Sequence, residues 1–95
     1  MISIVTPTYN EAENVEAFAE GIAGILNDVP EPIELLFVDA ESPDGTAGVI
    51  RRLQGSHPFV RLLERPKQSF GDALLAGWDQ AKGEYLIVMD ADRCQ

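Results

Sequence analysis

Basic residues are scarce in this 95-residue chain: seven lysines and arginines stand against sixteen aspartates and glutamates, giving a formal net charge of −9. None of the seven lies in the first fifty positions. Such a chain lacks the cationic surface that nucleic-acid phosphates require, so nucleic acid is excluded as a partner. An anionic ligand would be repelled as well, unless a divalent cation stood between it and the protein. There is one cysteine, Cys94, so no internal disulfide forms, which fits a reducing compartment. No apolar run reaches the roughly 18 to 20 residues of a membrane span, and no basic start precedes an apolar stretch as in a secretory leader. The expected location is the cytoplasm, with peripheral attachment to the cytoplasmic membrane face as a variant. Two phosphate signatures are also missing: the glycine-rich loop ending in Gly-Lys-Ser/Thr, and Gly-x-Gly-x-x-Gly.

What is present is an alternation. Apolar, β-branched runs at Ile2 to Val5, Ile33 to Val38, Phe59 to Leu63 and Tyr85 to Met89 read as strands, separated by stretches of helical period. The first intervening stretch places Val15, Phe18, Ile22, Ile25 and Leu26 at helical spacing, with Asn10 and Glu13 as a candidate cap and Pro30 and Pro32 beyond its end. The second starts near Pro43 to Thr46 and buries Val49, Ile50 and Leu53. The third starts at Ser69 with Asp72 as a cap, carries Ala73, Leu74, Gly77, Trp78 and Ala81 on its apolar side, and stops at Gly83. Trp78 is expected in the core, and His57, beside Pro58, at the surface. The run from Ile33 is apolar nearly throughout, as in a parallel strand covered on both faces. Four strands joined by three helical crossovers make βαβαβαβ, an α/β domain with parallel strands and right-handed connections. Ligands of such sheets sit beyond the carboxyl ends of the strands, and here the polar clusters fall at those ends.

The candidate chemistry follows from that placement. Asp90 and Asp92 flank Ala91 directly after the last strand, and side chains two apart in extended chain point the same way. Paired carboxylates repel each other, and Mg²⁺ or Mn²⁺ relieves the repulsion while also holding diphosphate oxygens; a solvated acidic turn is the bland reading. After the second strand come Asp39, Glu41 and Asp44. Asp39 can accept from a base N–H or a ribose hydroxyl, whereas Asp44 before Gly45-Thr46 reads as a loop cap. In the segment Thr6 to Glu11, Tyr9 offers a ring for a nucleobase and Glu11 a carboxylate nearby, on what is otherwise a strand-to-helix turn. Lys67, Gln68, Ser69 and Gly71 open the third helix, where backbone N–H groups can approach phosphate.

Together, Ile4-Val5-Thr6-Pro7-Thr8-Tyr9-Asn10-Glu11, Val38-Asp39-Ala40-Glu41-Ser42-Pro43-Asp44-Gly45-Thr46 and Met89-Asp90-Ala91-Asp92 resemble glycosyltransferase family 2, in the dolichol-phosphate or polyprenol-phosphate mannosyltransferase branch. The resemblance runs along essentially the whole chain. It implies one domain over 1–95, the Rossmann-like, nucleotide-binding N-terminal half of a GT-A fold with strand order 3-2-1-4, ending just past the Asp-x-Asp. It also implies that Pro7, Tyr9, Glu11, Val38 and Asp39 line the nucleoside pocket, and that Asp90, Ala91 and Asp92 meet the sugar nucleotide. The two aspartates would be the metal ligands and the catalytic residues, with Mn²⁺ or Mg²⁺ as cofactor. The implied reaction is inverting transfer of a hexose from GDP-mannose or UDP-glucose to polyprenyl phosphate. The cation would neutralise the leaving diphosphate, and the acceptor, already anionic, needs little help from a base. Two residues depart from the pattern. Ala40 stands where the family has a second aspartate, and Cys94 stands where a glutamine or serine is usual, with Gln95 one step later. Exposed sheet edges make a homo-oligomer an expectation. The alternative is an inactive nucleotide-binding fragment or interaction module, because the acceptor side has no evident counterpart in these residues.

Overall fold

The computed structural model of the protein describes residues 1–66 and 69–91. The chain runs β1 (Ile2–Thr8), α1 (Val15–Ile25), a 3-10 turn at Leu26–Asp28, β2 (Ile33–Asp39), α2 (Thr46–Ser56), β3 (Val60–Glu64), α3 (Phe70–Gln80) and β4 (Tyr85–Val88). The strands form one parallel sheet in the order β3-β2-β1-β4. The α/β class and the strand order are therefore those expected.

The order explains which face each helix covers. Stepping from β1 to β2 to β3 moves one way across the sheet, and the step from β3 to β4 moves back, so right-handed crossovers send α1 and α2 to one face and α3 to the other. Two clusters of buried side chains match. Phe18 and Ile22 of α1 and Ile50 and Leu53 of α2 pack on Ile4, Leu35 and Phe37, with the Phe18 and Phe37 rings edge to face at 6.1 Å. On the opposite face Ala73 of α3 packs on Val5, Leu36 and Val38. With both faces covered, β2 is buried along its whole length, as its apolar run predicts.

Helix α3 lies close because Gly77 has no side chain. A Cβ there would stand 2.5 Å from Val5 Cγ1 and 3.1 Å from Val38 Cγ2. Gly83, in the turn before β4, is equally constrained, with Ser3 Oγ 2.6 Å from where its Cβ would be. That turn is fastened to the sheet by Glu34. Its Oε2 accepts from Ser3 Oγ (2.5 Å) and Lys82 N (2.6 Å), its Oε1 accepts from Arg61 Nη1 (2.7 Å), and Ser3 Oγ accepts from Gly83 N. Arg61 also donates to the Gln80 carbonyl, closing a clasp across β1, β2, β3 and the end of α3.

Three local expectations change. The α1 helix starts at Val15, not at an Asn10 cap, because Asn10 takes a left-handed conformation (φ 55°) and gives its N–H to Ser42 Oγ across the sheet end. Trp78 is 64% exposed: Ala73 and Gly77, four apart, take the face against the sheet and rotate the indole outward. His57 is half-buried, its ring tilted on Phe59 at 5.6 Å. The Ser69 cap of α3 is as expected, its side chain accepting from Asp72 N. Among the described residues no helix is long and apolar enough to cross a membrane.

Candidate functional site

In strand order 3-2-1-4 the direction of winding reverses at β1, which opens a crevice beyond the carboxyl ends of the strands flanking that point. The chain has a cleft of about 260 Å³ there. From the end of β1 and the loop after it come Pro7, Thr8, Tyr9 and Glu11. The β2 end supplies Val38 and Ala40, the first turn of α3 supplies Phe70 and Ala73, and Asp90 enters from the end of β4. Neighbouring strands are about 4.8 Å apart, so the β2 wall and the β4 wall are separated by about 10 Å. One wall is apolar and the other carries a carboxylate.

The rim is built by hydrogen bonds between the β1–α1 and β2–α2 loops. Three successive amides of the first loop donate to side chains of the second: Asn10 N to Ser42 Oγ (3.0 Å), Glu11 N to Thr46 Oγ1 (3.0 Å) and Ala12 N to Asp44 Oδ2 (3.2 Å). Asp44 caps α2 through Thr46 N (3.0 Å) and accepts the Thr46 hydroxyl as well. That hydroxyl bond is the chief reason its carboxyl sits below the ordinary aspartate value of 3.8; slight desolvation opposes the shift, and the Ala12 and Thr46 amides add to it. Asp44 is therefore a loop and helix cap, as its sequence context suggested.

Asp39 belongs to the same framework. It is fully buried, and its Oδ1 accepts from Thr8 Oγ1 and from Ser42 Oγ, both at 2.7 Å, while Oδ2 accepts from Ser42 N at 3.0 Å. Glu41, at φ 52°, makes the tight reversal that returns Ser42 to Asp39. Glu11 Oε2 accepts from Asn14 Nδ2 at 2.9 Å.

The expected site residues thus divide. Pro7, Tyr9, Glu11, Val38 and Asp90 come together around the cleft. Asp39 stands behind the wall, and Ala91 is buried in the core on the α1 and α2 face. Asp92, Cys94, Gln95, Lys67 and Gln68 lie outside the described residues. Ala40 reaches the wall at the place of the family's second aspartate, whereas the sequence does not mark Phe70 and Ala73 as wall residues or Ser42 and Thr46 as tethers. The Ser42-Pro43-Asp44-Gly45-Thr46 run, rich in turn and cap formers, was the available signal for the tethers.

Among the described residues no group of three or more His, Cys, Asp or Glu side chains is placed to hold a metal ion. Asp90 nonetheless offers hard oxygen donors facing the cleft. That donor chemistry fits a cation of the Mg²⁺ and Mn²⁺ type, which takes one or two carboxylates and completes its shell with water and substrate phosphate.

Comparison with known proteins adds independent findings. The model of the family described as glycosyl transferase family 2 matches residues 3–94. The dolichol-phosphate mannosyltransferase of Pyrococcus furiosus is 35% identical over 92 residues, which is 96% of this chain and 25% of that protein. The enzyme of the same name from Saccharomyces cerevisiae is 34% identical over 92 residues, covering 95% of this chain and 34% of that protein. The chain therefore spans about a quarter to a third of the length of these relatives. Among solved structures, a mannosyltransferase of Pyrobaculum calidifontis in complex with GDP-Man and Mn²⁺ superposes with a TM-score of 0.82 at 31% identity, over 96% of this chain and 27% of that one.

Proposed function

The chain belongs to glycosyl transferase family 2, and on that premise we propose that its cleft binds the nucleoside diphosphate of a hexose donor, GDP-mannose or UDP-glucose, for inverting transfer to a polyprenyl phosphate. The observation that carries this reading is the polarity of the cleft. An apolar wall at Val38, Ala40, Phe70 and Ala73 suits a base, and a carboxylate about 10 Å away at Asp90 suits the cation that accompanies a diphosphate.

In this reading Pro7 and Tyr9 flank the nucleoside between the two walls, and Asp90 with Asp92 holds Mn²⁺ or Mg²⁺. The cation, when bound, would neutralise charge developing on the leaving diphosphate. The chain's own residues orient the donor. Ser42, Asp44 and Thr46 hold the β1–α1 loop against β2, so that Tyr9 and Glu11 face the cleft in a fixed register. The relatives' names associate them with dolichol phosphate. The corresponding acceptor here is a lipid phosphate presented at the cytoplasmic membrane face, and this chain supplies the donor-binding part of the reaction.

Calorimetric titration of GDP and UDP with and without Mn²⁺ tests the reading. Binding that requires Mn²⁺ and is lost in Asp90→Asn and Asp92→Asn, with circular dichroism unchanged, is the expected result. Equal binding by the variants would remove both aspartates from the donor site.

A further inference from the structure

Among the described residues, the β2 wall of the cleft presents no side chain with which to recognise the hydrogen-bonding edge of a base. On the nucleotide reading above, on which this inference rests, Asp39 is the carboxylate that the sequence offers for that task. It is fully buried, and its two oxygens already accept three hydrogen bonds, from Thr8 Oγ1, Ser42 Oγ and Ser42 N. Turning it toward a ligand would leave two hydroxyls and an amide without their acceptor, each a costly loss in a buried setting. The next residue, Ala40, reaches the cleft with a methyl group, and its N–H is spent on the Thr8 carbonyl at 3.0 Å. Val38, Phe70 and Ala73 complete the wall with carbon. Such a surface attracts the flat faces of any base and distinguishes poorly between their edges, because strong discrimination comes from paired polar groups rather than from apolar contact.

We infer that this chain takes the base by shape and stacking against the β2 wall, without a carboxylate on that wall to select it, and so accepts guanosine, uridine and cytidine diphosphates with similar affinity. Position 40 is then where selectivity is open to change. A carboxylate there would accept from guanine N1–H or uracil N3–H and would face the lone pair of cytosine N3.

The test is calorimetric titration of the 95-residue chain in Mn²⁺ with GDP, UDP and CDP in turn, repeated for Ala40→Asp and Glu11→Gln. The three affinities in the parent chain are expected to agree within about fivefold, and Ala40→Asp to disfavour CDP by about tenfold or more. A parent chain that already separates the three by more than tenfold overturns the inference while leaving the nucleotide reading standing. Loss of that selectivity in Glu11→Gln would then name Glu11 as the group that recognises the base. Failure of all three to bind a folded sample overturns the nucleotide reading and this inference with it. Should Ala40→Asp not fold, the parent ratios alone still decide.

Discussion

Two carboxylates, Glu34 and Asp39, are buried on the same strand and satisfied in opposite ways. Glu34 sits near the amino end of β2 on the α3 face and is 4% exposed; its partners, Ser3, the Arg61 guanidinium and the Lys82 amide, come from three separate segments of the chain. Asp39 sits at the carboxyl end on the α1 and α2 face, and its partners are hydroxyls and an amide from the end of β1 and the β2–α2 loop. The first is a clasp that holds elements together at the end of the sheet away from the cleft. The second sets the shape of the cleft wall. The buried carboxyl at the floor of the sheet ties elements together, and the one at the top ties together the segments that frame the cleft.

The largest effect that separates the two is expected from Glu34→Ala. It strands the half-buried Arg61 and leaves the Lys82 amide and the Ser3 hydroxyl without their acceptor, so urea unfolding should show a loss of about 3 kcal/mol or more. Nucleotide affinity in the folded fraction should hold within about twofold, and a large change there would break the comparison.

Asp39→Asn comes next. It keeps one acceptor but sets an NH₂ group against donors that need a second, costing about 2 kcal/mol. Nucleotide affinity should fall with it, because Thr8 and Ser42 lose the group that positions them. A variant as unstable as this that still binds normally would show that the wall does not depend on Asp39.

The pH dependence sharpens the contrast. Burial raises the carboxyl of Glu34, but the hydrogen bonds from Ser3, Lys82 and Arg61 together with the Arg61 charge outweigh it and hold it below the ordinary value of 4.5. A carboxyl depressed by folding contributes stability that is fully present above its unfolded value. That contribution is lost as pH falls through the lower, folded one. Unfolding free energy measured from pH 7 downward should therefore decline below about pH 5, and Glu34→Gln should flatten the decline. An unchanged slope would detach the clasp from the acid sensitivity.

The smallest effect concerns two threonines on one face of β1. Thr8 donates to Asp39, whereas Thr6 Oγ1, buried one pair below, has no hydrogen-bond partner among the described residues. Thr6→Val should leave stability unchanged or raise it by up to about 1 kcal/mol, and Thr8→Val should lower it by about 1 kcal/mol, both read from urea midpoints.

The resemblance to a family supplied the strand order and most of the cleft, including Pro7, Tyr9, Glu11, Val38 and Asp90, because strand ends are legible wherever an apolar run meets a polar one. Helix limits were legible where a cap is local, as at Ser69, and misread at Asn10, whose amide bonds to Ser42 thirty-two positions away. Trp78 was misread for a related reason. Its helical face is apolar, but a face wider than the sheet can cover leaves part of itself in water, and Gly77 decides which part by letting α3 approach at that point.

What the amino-acid order determined by itself is whatever depends on near neighbours: the alternation of strand and helical periods, the turns, the caps and the acid-rich first half. From these follow the α/β class and the position of a site at the carboxyl ends of the strands. Only the tertiary structure decided what each buried charge is for. Sheet order brings residues 3, 34, 61 and 82 together at one end of the fold and residues 8, 39 and 42 together at the other. A buried carboxylate must find its donors from whatever that packing places beside it. Hence Asp39, which on paper was a residue for a ligand, is spent on the protein, and the methyl of Ala40 is what the cleft receives.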